Sequence, residues 1–474
     1  MSKSSQPSGY VEGSNVNPDG TRRELSNLNV QMIAIGGAIG TGLFLGSGST
    51  IHRTGPSILL VYIIIGFFFY LMMRAIGEMM YTDPSKHTFV AFIHRYMGPK
   101  YGRFAEWNYW LTIVLTAMAE MIAISTYVRT WFPSWPGWLV QIVFLLAMMG
   151  LNLFVVSAFG KAETVMALIK IFAILALIVI GIIMVIMHYK SPTGHIASFT
   201  NVLGNFKMFP NGIDQFIFAF PMVFFAFQGI EFVGITTAET KNPRQVLPKA
   251  INQTLLRILI FYVGALFVIM SITPWRQISA DSSPFVQIFS LAGIPAAGDI
   301  INLVVIIAAT SSLNSFLFSG GRHLYQLALE AGPNKMQVFK TISLNGIPVY
   351  AVIGTAVLTL FAPIITATGM TDAFSFVTSI SSDIYIIVCV LTMISHIRYR
   401  QSSEFLDHEF QMPLAKISNP LTILFFVVIY ASLFFSPTSI WAAVGASVWA
   451  IGFFLVIAYR DKHGAYPKDG SLSE

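Results

Sequence analysis

The sequence predicts an all-α polytopic membrane protein with twelve transmembrane helices. Hydrophobic residues make up 55% of the 474 positions and charged residues only 11%, whereas soluble domains carry about 25% charged residues. The apolar residues also fall into separate runs, each close to the roughly 20 residues with which a helix crosses a bilayer. A soluble fold could not bury so much apolar surface. The composition therefore excludes a typical cytosolic enzyme and a disordered chain, and the single cysteine, Cys389, excludes an internal disulfide or a cysteine zinc cluster.

The twelve apolar segments follow one another along the chain, separated by charged or turn-rich stretches. None of these stretches is long enough for a separate soluble domain. Residues 1–27 are polar and lack the pattern of a removable signal peptide, so the first segment is expected to be retained. The segments cover residues 28–48, 57–80, 105–128, 137–157, 164–187, 214–235, 250–273, 296–319, 348–368, 374–396, 419–435 and 440–459.

The lysines and arginines predict the orientation of the helices. With a cytoplasmic N-terminus, 20 of the 28 basic residues lie in cytoplasmic loops and tails, 5 lie in outer loops and 3 lie within spans. Cytoplasmic loops of membrane proteins are enriched in Lys and Arg, so both termini are predicted to be cytoplasmic. The same enrichment explains the net charge of +6, and we expect no nucleic-acid partner.

The first apolar segment is predicted to be a broken helix. Residues 35–46 include five glycines, which are poor helix formers. Within a bilayer the backbone unwinds only where protein or a water-filled cavity satisfies its polar groups. The alternatives are close helix packing through small residues and a dinucleotide-binding loop, which needs a βαβ unit that is not apparent here.

The sixth segment has a matching interruption, at Gly229 between Gln228 and Glu231. Corresponding breaks in two halves of a chain point to a midplane binding site in an inverted-repeat transporter. The N-terminus of a half-helix binds a carboxylate through free N–H groups, and unwound carbonyls accept hydrogen bonds from an ammonium group. A zwitterionic amino acid carries both groups on one carbon, so it is the ligand class that the two breaks favour.

Several motifs resemble those of amino acid permeases of the amino acid–polyamine–organocation superfamily, in its bacterial amino acid transporter family. The resemblance covers nearly the whole chain and leaves only the tails unmatched. The matching pieces are residues 35–46, 73–78, 107–110, 168–170, 225–231 and 239–244.

The resemblance implies a fold of two inverted five-helix repeats, with helices 1 and 6 broken, plus two extra helices. The corresponding divisions are a cytoplasmic N-terminal tail (1–27), a transport core of helices 1 to 10 (28–396), helices 11 and 12 (397–459) and a cytoplasmic C-terminal tail (460–474). We therefore expect a multi-pass protein of the cell membrane, present as a monomer or weak homodimer.

The resemblance also implies where a substrate binds. The first break would hold the substrate carboxylate, and backbone carbonyls of the second would hold the amino group. The residues concerned are Ile39, Gly40, Thr41 and Gly42 for the carboxylate, and Phe225, Ala226 and Gln228 for the amino group. Proton-coupled uptake is implied as well, with Lys170 near broken helix 1; the alternatives for Lys170 are an ion-paired structural lysine or one that extends to the cytoplasmic interface.

Within the family, residues 191–194, 270–275 and 283–286 resemble permeases for serine, alanine and glycine, including D-enantiomers and cycloserine. We therefore expect a secondary active importer of serine, alanine and glycine, with threonine a further candidate, driven by proton symport. The alternatives are a permease for cationic or aromatic amino acids, an amino acid exchanger, and an amino acid sensor that does not transport.

Ionisable and polar residues inside predicted spans are functional candidates by default. Glu120 is predicted to shape the pocket, or else to be a buried structural carboxyl. Glu231 is predicted to act as a gate or proton-path residue, or else to hold the unwound backbone. Ser312 belongs to the polar run 310–315, which would line the permeation path or join helices. Asp383 departs from the pattern expected of the relatives.

No catalytic constellation and no phosphate-binding loop stands out. The sequence therefore predicts that the chain is not an enzyme. It also predicts no cofactor and no metal ion, and a proton gradient as the source of energy.

Overall fold

The structure is a computed structural model that describes residues 17, 23–154, 156–191, 194–204, 206–240, 242–280, 282–291, 296–331, 335–370, 372–437 and 439–463. Most of the two predicted tails, residues 1–16, 18–22 and 464–474, lies outside these residues. Within them the regular structure is helical apart from two isolated β-bridges. The predicted all-α class is confirmed.

The helices of the first half are α1 (Asn27–Ala38), α2 (Thr41–Phe44), α3 (Gly46–Thr54), α4 (Ile58–Thr82), α5 (Ala91–Met97), α6 (Pro99–Trp131), α7 (Gly137–Leu153), α8 (Val156–Ile186), α9 (Thr200–Leu203), α10 (Ile213–Phe218), α11 (Phe220–Ala226) and α12 (Phe232–Thr237). Those of the second half are α13 (Pro243–Ile272), α14 (Pro284–Leu291), α15 (Ala297–Glu330), α16 (Val349–Thr359), α17 (Phe361–Ala367), α18 (Ala373–Gln401), α19 (Ala415–Leu433) and α20 (Ile440–Lys462).

In the described part of the chain, nine helical stretches are long and apolar enough to cross a membrane. Two further apolar stretches are shorter, α7 and the pair α10–α11. The first predicted segment corresponds to α1, α2 and the start of α3. A polytopic membrane protein is therefore confirmed. Several helices run past their apolar cores: α15 reaches Glu330 rather than the predicted 319, because hydropathy does not register the polar last turns of a helix.

Both predicted breaks are present. Helix α1 ends at Ala38, and Gly40 has an extended backbone (φ −123°, ψ −151°) before α2 begins. Helix α11 ends at Ala226, and α12 begins at Phe232. Between them Gly229 has a φ of +96°, a conformation that glycine adopts without steric cost.

The broken segments lie in the middle of the helix bundle. Helix α1 packs against α8, α12, α13 and α15, and α11 packs against α2, α3 and α18. Helices α6 and α15 pack along each other next to the breaks. These two long helices bring polar side chains that are distant in the sequence to the backbone of the first segment.

We define the inner end of the bundle as the end where α6 begins and α15 ends. At this end a short extended segment closes the gap between α1 and α12. The amide of Leu25 donates to the carbonyl of Glu239 at 3.0 Å. The Glu239 carboxylate accepts from Arg322 Nε at 2.8 Å, and both side chains are buried.

Candidate functional site

The first break is filled by a carboxyl group from α6. Both oxygens of Glu120 lie 3.3 Å from the Thr41 amide nitrogen at the start of α2. The Ser312 hydroxyl of α15 donates to Glu120 Oε1 at 2.9 Å. A Cβ atom on Gly40 would lie 2.3 Å from that same oxygen. The glycine is therefore required by the close approach of Glu120.

Lys170 reaches the break from α8. It is fully buried, and its Nζ donates to the carbonyls of Gly36 and Ile39 at 2.9 Å each, with the carbonyl of Ala308 at 3.4 Å. An α-helix leaves its last carbonyls without intrahelical partners. The ammonium group therefore satisfies the unwound end of α1. This position excludes the alternative in which Lys170 extends to the cytoplasmic interface.

Glu163 lies on the same face of α8 as Lys170, about two helical turns earlier. It is buried and accepts hydrogen bonds from Ser311 and from Asn314 Nδ2, the latter at 2.8 Å. A Cβ on Gly36 would lie 1.9 Å from Glu163 Oε1, so Gly36 admits this carboxyl to the surface of α1. Glu163 thus contacts α1 and Glu120 contacts α2, and Lys170 reaches α1 from the same helix as Glu163.

The second break is joined to the first by a tyrosine of α13. The Tyr262 hydroxyl lies 2.6 Å from the carbonyl of Ala38 and 2.8 Å from that of Ala226. A Cβ on Gly42 would lie 2.6 Å from the Ala226 Cα, and a Cβ on Gly229 would lie 2.6 Å from the carbonyl carbon of Gly37. The two breaks therefore meet backbone to backbone.

The side chains of Gln228 and Glu231, within the second break, turn towards α6 and α18. Gln228 Oε1 accepts from Thr116 at 2.8 Å and from Ser381 at 3.1 Å. Glu231 accepts from the Gly229 amide at 3.0 Å and from the Tyr109 hydroxyl at 3.1 Å. Glu231 therefore holds the unwound backbone, and it is at the same time a buried acid on the inner side of the break.

A vestibule approaches the site from the outer end. It has a volume of about 400 Å³, and Gly46, Ile122, Arg129 and Phe374 are among its lining residues. Ile122 follows Glu120 by two residues, and Gly46 follows Gly42 by one helical turn. Phe225 packs edge-on against Phe374, with ring centroids 6.1 Å apart. The lining residues of the vestibule thus come within two to four residues of Glu120 and Gly42 along the chain.

Asp383 lies apart from this site. Its carboxyl group is buried and has no hydrogen-bond partner among the described residues. It interacts electrostatically with Tyr430 of α19, whereas Ser381 on the same helix contacts Gln228. The structure thus places Ile39, Gly40, Thr41, Gly42, Glu120, Ser312 and Lys170 around the first break and Phe225, Ala226, Gln228 and Glu231 at the second.

Four side chains that sequence reasoning missed complete these contacts: Tyr109, Thr116, Tyr262 and Ser381. Each carries a hydroxyl group within a predicted membrane span. That pattern could have identified them as candidates, although many membrane hydroxyls merely bond to their own helix, as Thr112 does to Asn108.

Comparison with known proteins gives a consistent result over the whole described core. The family model for amino acid permeases matches residues 29–466. The chain is 45% identical over 447 residues to a DL-alanine permease of Lactococcus lactis, covering 94% of this chain and 97% of that protein. It is 42% identical to a serine permease of the same organism, covering 93% and 97%. It is 40% identical to a D-serine/D-alanine/glycine transporter of Escherichia coli, covering 92% and 93%.

These matches confirm the resemblance read from the motifs. They also indicate a multi-pass protein of the cell membrane and confirm the prediction that the chain is not an enzyme. The chain belongs to the amino acid permease family.

Proposed function

We propose that the chain imports small neutral amino acids, above all serine, alanine and glycine, by proton symport. The observation that carries the proposal is the contact between the two helix breaks, at which backbone amides and carbonyls converge inside an apolar bundle. The names of the relatives, which include alanine, serine and glycine, support the same substrate class. Threonine is a further candidate substrate, and D-enantiomers are included.

In this proposal the substrate binds between the breaks. Its carboxylate binds at residues 39–42, where it accepts hydrogen bonds from the amides that come after Ile39, those of Gly40, Thr41 and Gly42. Its ammonium group donates to the carbonyls of Phe225, Ala226 and Gln228. The close packing of Gly42 on Ala226 favours a substrate with a small side chain. Phe225 and Phe374 form an outer lid over the bound substrate, since Phe374 lines the vestibule and Phe225 packs edge-on against it.

The proton enters the proposal through Glu120. The Glu120 carboxyl accepts from the Thr41 amide, the group that the substrate carboxylate also needs. An ionised Glu120 competes with the substrate for this amide, whereas a protonated Glu120 is a much weaker acceptor. Protonation from outside therefore favours substrate binding. Lys170, which donates to the last carbonyls of α1, then responds to the binding of proton and substrate at the first break. Glu231 gates the route from the site to the inner end.

We further propose twelve spans, with α1–α2 and α10–α12 as broken helices 1 and 6 in two inverted five-helix repeats, followed by α19 and α20 as the extra helices. The transport core then covers residues 28–396 and the extra helices cover 397–459. Both termini are cytoplasmic, as the distribution of basic residues favours. The protein is a monomer or weak homodimer and uses the proton gradient without a cofactor.

Uptake by proteoliposomes tests this function. With an inward proton gradient, we expect labelled L-serine to accumulate, and we expect an uncoupler to abolish the accumulation. Unlabelled alanine and glycine should compete strongly, and lysine and phenylalanine weakly. Stronger competition by lysine than by serine would show that the substrates are cationic amino acids instead. The acidic side chain of Glu120 is the observation that favours this alternative. Rapid exchange without accumulation would replace symport with exchange.

Glu120→Gln tests the coupling step. Glutamine keeps the shape of the side chain but removes its charge, so it competes less for the Thr41 amide at any pH. For the unmodified protein we expect the KM for serine to fall as the external pH is lowered. For Glu120→Gln we expect a low KM that no longer depends on pH, together with loss of gradient-driven accumulation. The matched control is Glu409→Gln, which removes one charge from an exposed loop position. A Glu120→Gln protein with the normal pH dependence of KM would refute competition at Thr41.

A further inference from the structure

A second cavity lies at the inner end of the bundle, away from the two breaks. It has a volume of about 540 Å³ and lies among α6, α15, α16 and α20. This size is typical of a site for a small organic ligand. None of its lining residues belongs to the site proposed for the amino acid, so the cavity is not explained by transport.

The wall of the cavity is aromatic. Trp107 and Trp110 of α6 face it from one side, and Trp449 and Phe453 of α20 face it from the other. Trp107 and Trp110 pack edge to face at 5.6 Å, and Trp449 stacks on Phe453 at 5.3 Å. The Trp449 indole also donates to Asn108 at 3.1 Å. The aromatic wall is therefore held in place by its own contacts.

The inner edge of the cavity is basic. Arg103, Lys335 and Arg460 line it there. With a rise of 1.5 Å per residue, Arg460 lies about 16 Å from Trp449 along α20, and Arg103 lies about 10 Å from Trp110 along α6. The charged and the apolar linings are thus separated along the direction in which the helices cross the membrane.

The two acidic side chains in the lining offset only part of this charge. Glu330 is within 3.2 Å of His94 Nδ1 and accepts from Gln326 Nε2 at 2.6 Å. Glu106 is almost completely buried next to Glu330 and His94. Arg103 lies 3.4 Å from Asp461, whose side chain is 42% exposed. Basic side chains therefore outnumber acidic ones in the lining, and the acidic ones lie against the His94 side of the cavity.

We propose that this cavity binds an anionic phospholipid. One acyl chain lies along the wall formed by Trp107, Trp110, Trp449 and Phe453, and the phosphate diester lies among Arg103, Lys335 and Arg460. Basic pockets between helices on the cytoplasmic side suit anionic headgroups, and the separation of charge from apolar surface matches that of a lipid. Such a lipid connects α20 to α6 and α15 at the inner end.

Thermal unfolding of the full-length protein in detergent tests the proposal. We expect phosphatidylglycerol to raise the unfolding midpoint more than phosphatidylcholine with the same acyl chains. We expect glycerol phosphate and inorganic phosphate, which lack acyl chains, to have no such effect. In the double variant Lys335→Gln/Arg460→Gln, the advantage of phosphatidylglycerol should fall by at least about half, since the variant removes two of the three basic side chains that line the cavity.

The matched control is Lys416→Gln/Lys462→Gln, which removes two exposed charges outside the cavity lining at the same end. Its response to phosphatidylglycerol should equal that of the unmodified protein. Equal stabilisation by the two lipids would overturn the proposal, as would an equal loss in the control variant. Stabilisation by inorganic phosphate alone would replace the lipid with a free anion.

Discussion

Lys170→Ala is expected to abolish the uphill accumulation of serine in proteoliposomes. The variant removes an ammonium group that donates to Gly36 and Ile39 and leaves these carbonyls without their partner inside the bundle. A hydrogen bond from a charged donor contributes about 1.5–3 kcal/mol, and even 1.4 kcal/mol corresponds to a roughly tenfold change in rate. The measurement is the initial rate and final level of labelled serine uptake under a proton gradient.

Two controls separate a role in coupling from a role in stability. Lys161→Ala removes an exposed lysine of the same helix and should leave accumulation unchanged. Exchange of serine in preloaded vesicles should persist in Lys170→Ala, because exchange needs the binding site but no net proton movement. Gradient-driven accumulation at the normal level in Lys170→Ala would refute the coupling role. Loss of exchange together with normal unfolding would assign Lys170 to substrate binding instead.

Gly42→Ala is expected to reduce transport by about tenfold or more and also to destabilise the fold. The added methyl group would lie 2.6 Å from the Cα of Ala226 and 3.0 Å from its amide nitrogen. Both are backbone atoms of the other break, so the clash cannot be relieved by turning a side chain. Overpacking of this kind costs about 1–3 kcal/mol. Serine uptake and the unfolding midpoint are the two measurements.

Gly445→Ala is the matched control for this variant. Gly445 lies within α20, and a Cβ there would have no neighbour within 4 Å. Alanine forms helix better than glycine by about 1 kcal/mol, so this change should leave uptake unchanged and raise the unfolding midpoint slightly. If the two substitutions had the same effect on uptake and on the unfolding midpoint, the close contact between Gly42 and Ala226 would not be important for transport.

The sequence predicted the helical class, both breaks and the polar residues that surround the first one. These features can be predicted because glycines and charged residues are rare in a membrane segment. The orientation of Gln228 could not be predicted in this way. Its side chain turns to Thr116 and Ser381, and that orientation depends on how α6 and α18, which pack against each other, place these two hydroxyls beside the second break.

The position of Tyr262 is a second feature that could not be predicted from the sequence. Nothing within α13 distinguishes this tyrosine from others in apolar segments, because its partners, Ala38 and Ala226, are backbone carbonyls far away in the chain. Asp383 is the converse case. It stood out in the sequence as an acid within a span, yet it lies on the Tyr430 side of α18 and not at the breaks.

The meeting of Gly37 with Gly229 has a consequence for how the protein is made. Helix α1 emerges from the ribosome and enters the membrane well before Lys170, and longer still before Tyr262 and Ser312. During that interval the carbonyls of Gly37, Ala38 and Ile39 lack the side-chain donors that contact them in the finished bundle, and unsatisfied backbone groups are costly in lipid. The first segment must therefore remain beside water or the insertion machinery until the second half has been synthesised, so a chain truncated after α8 would be a substrate for quality-control proteolysis.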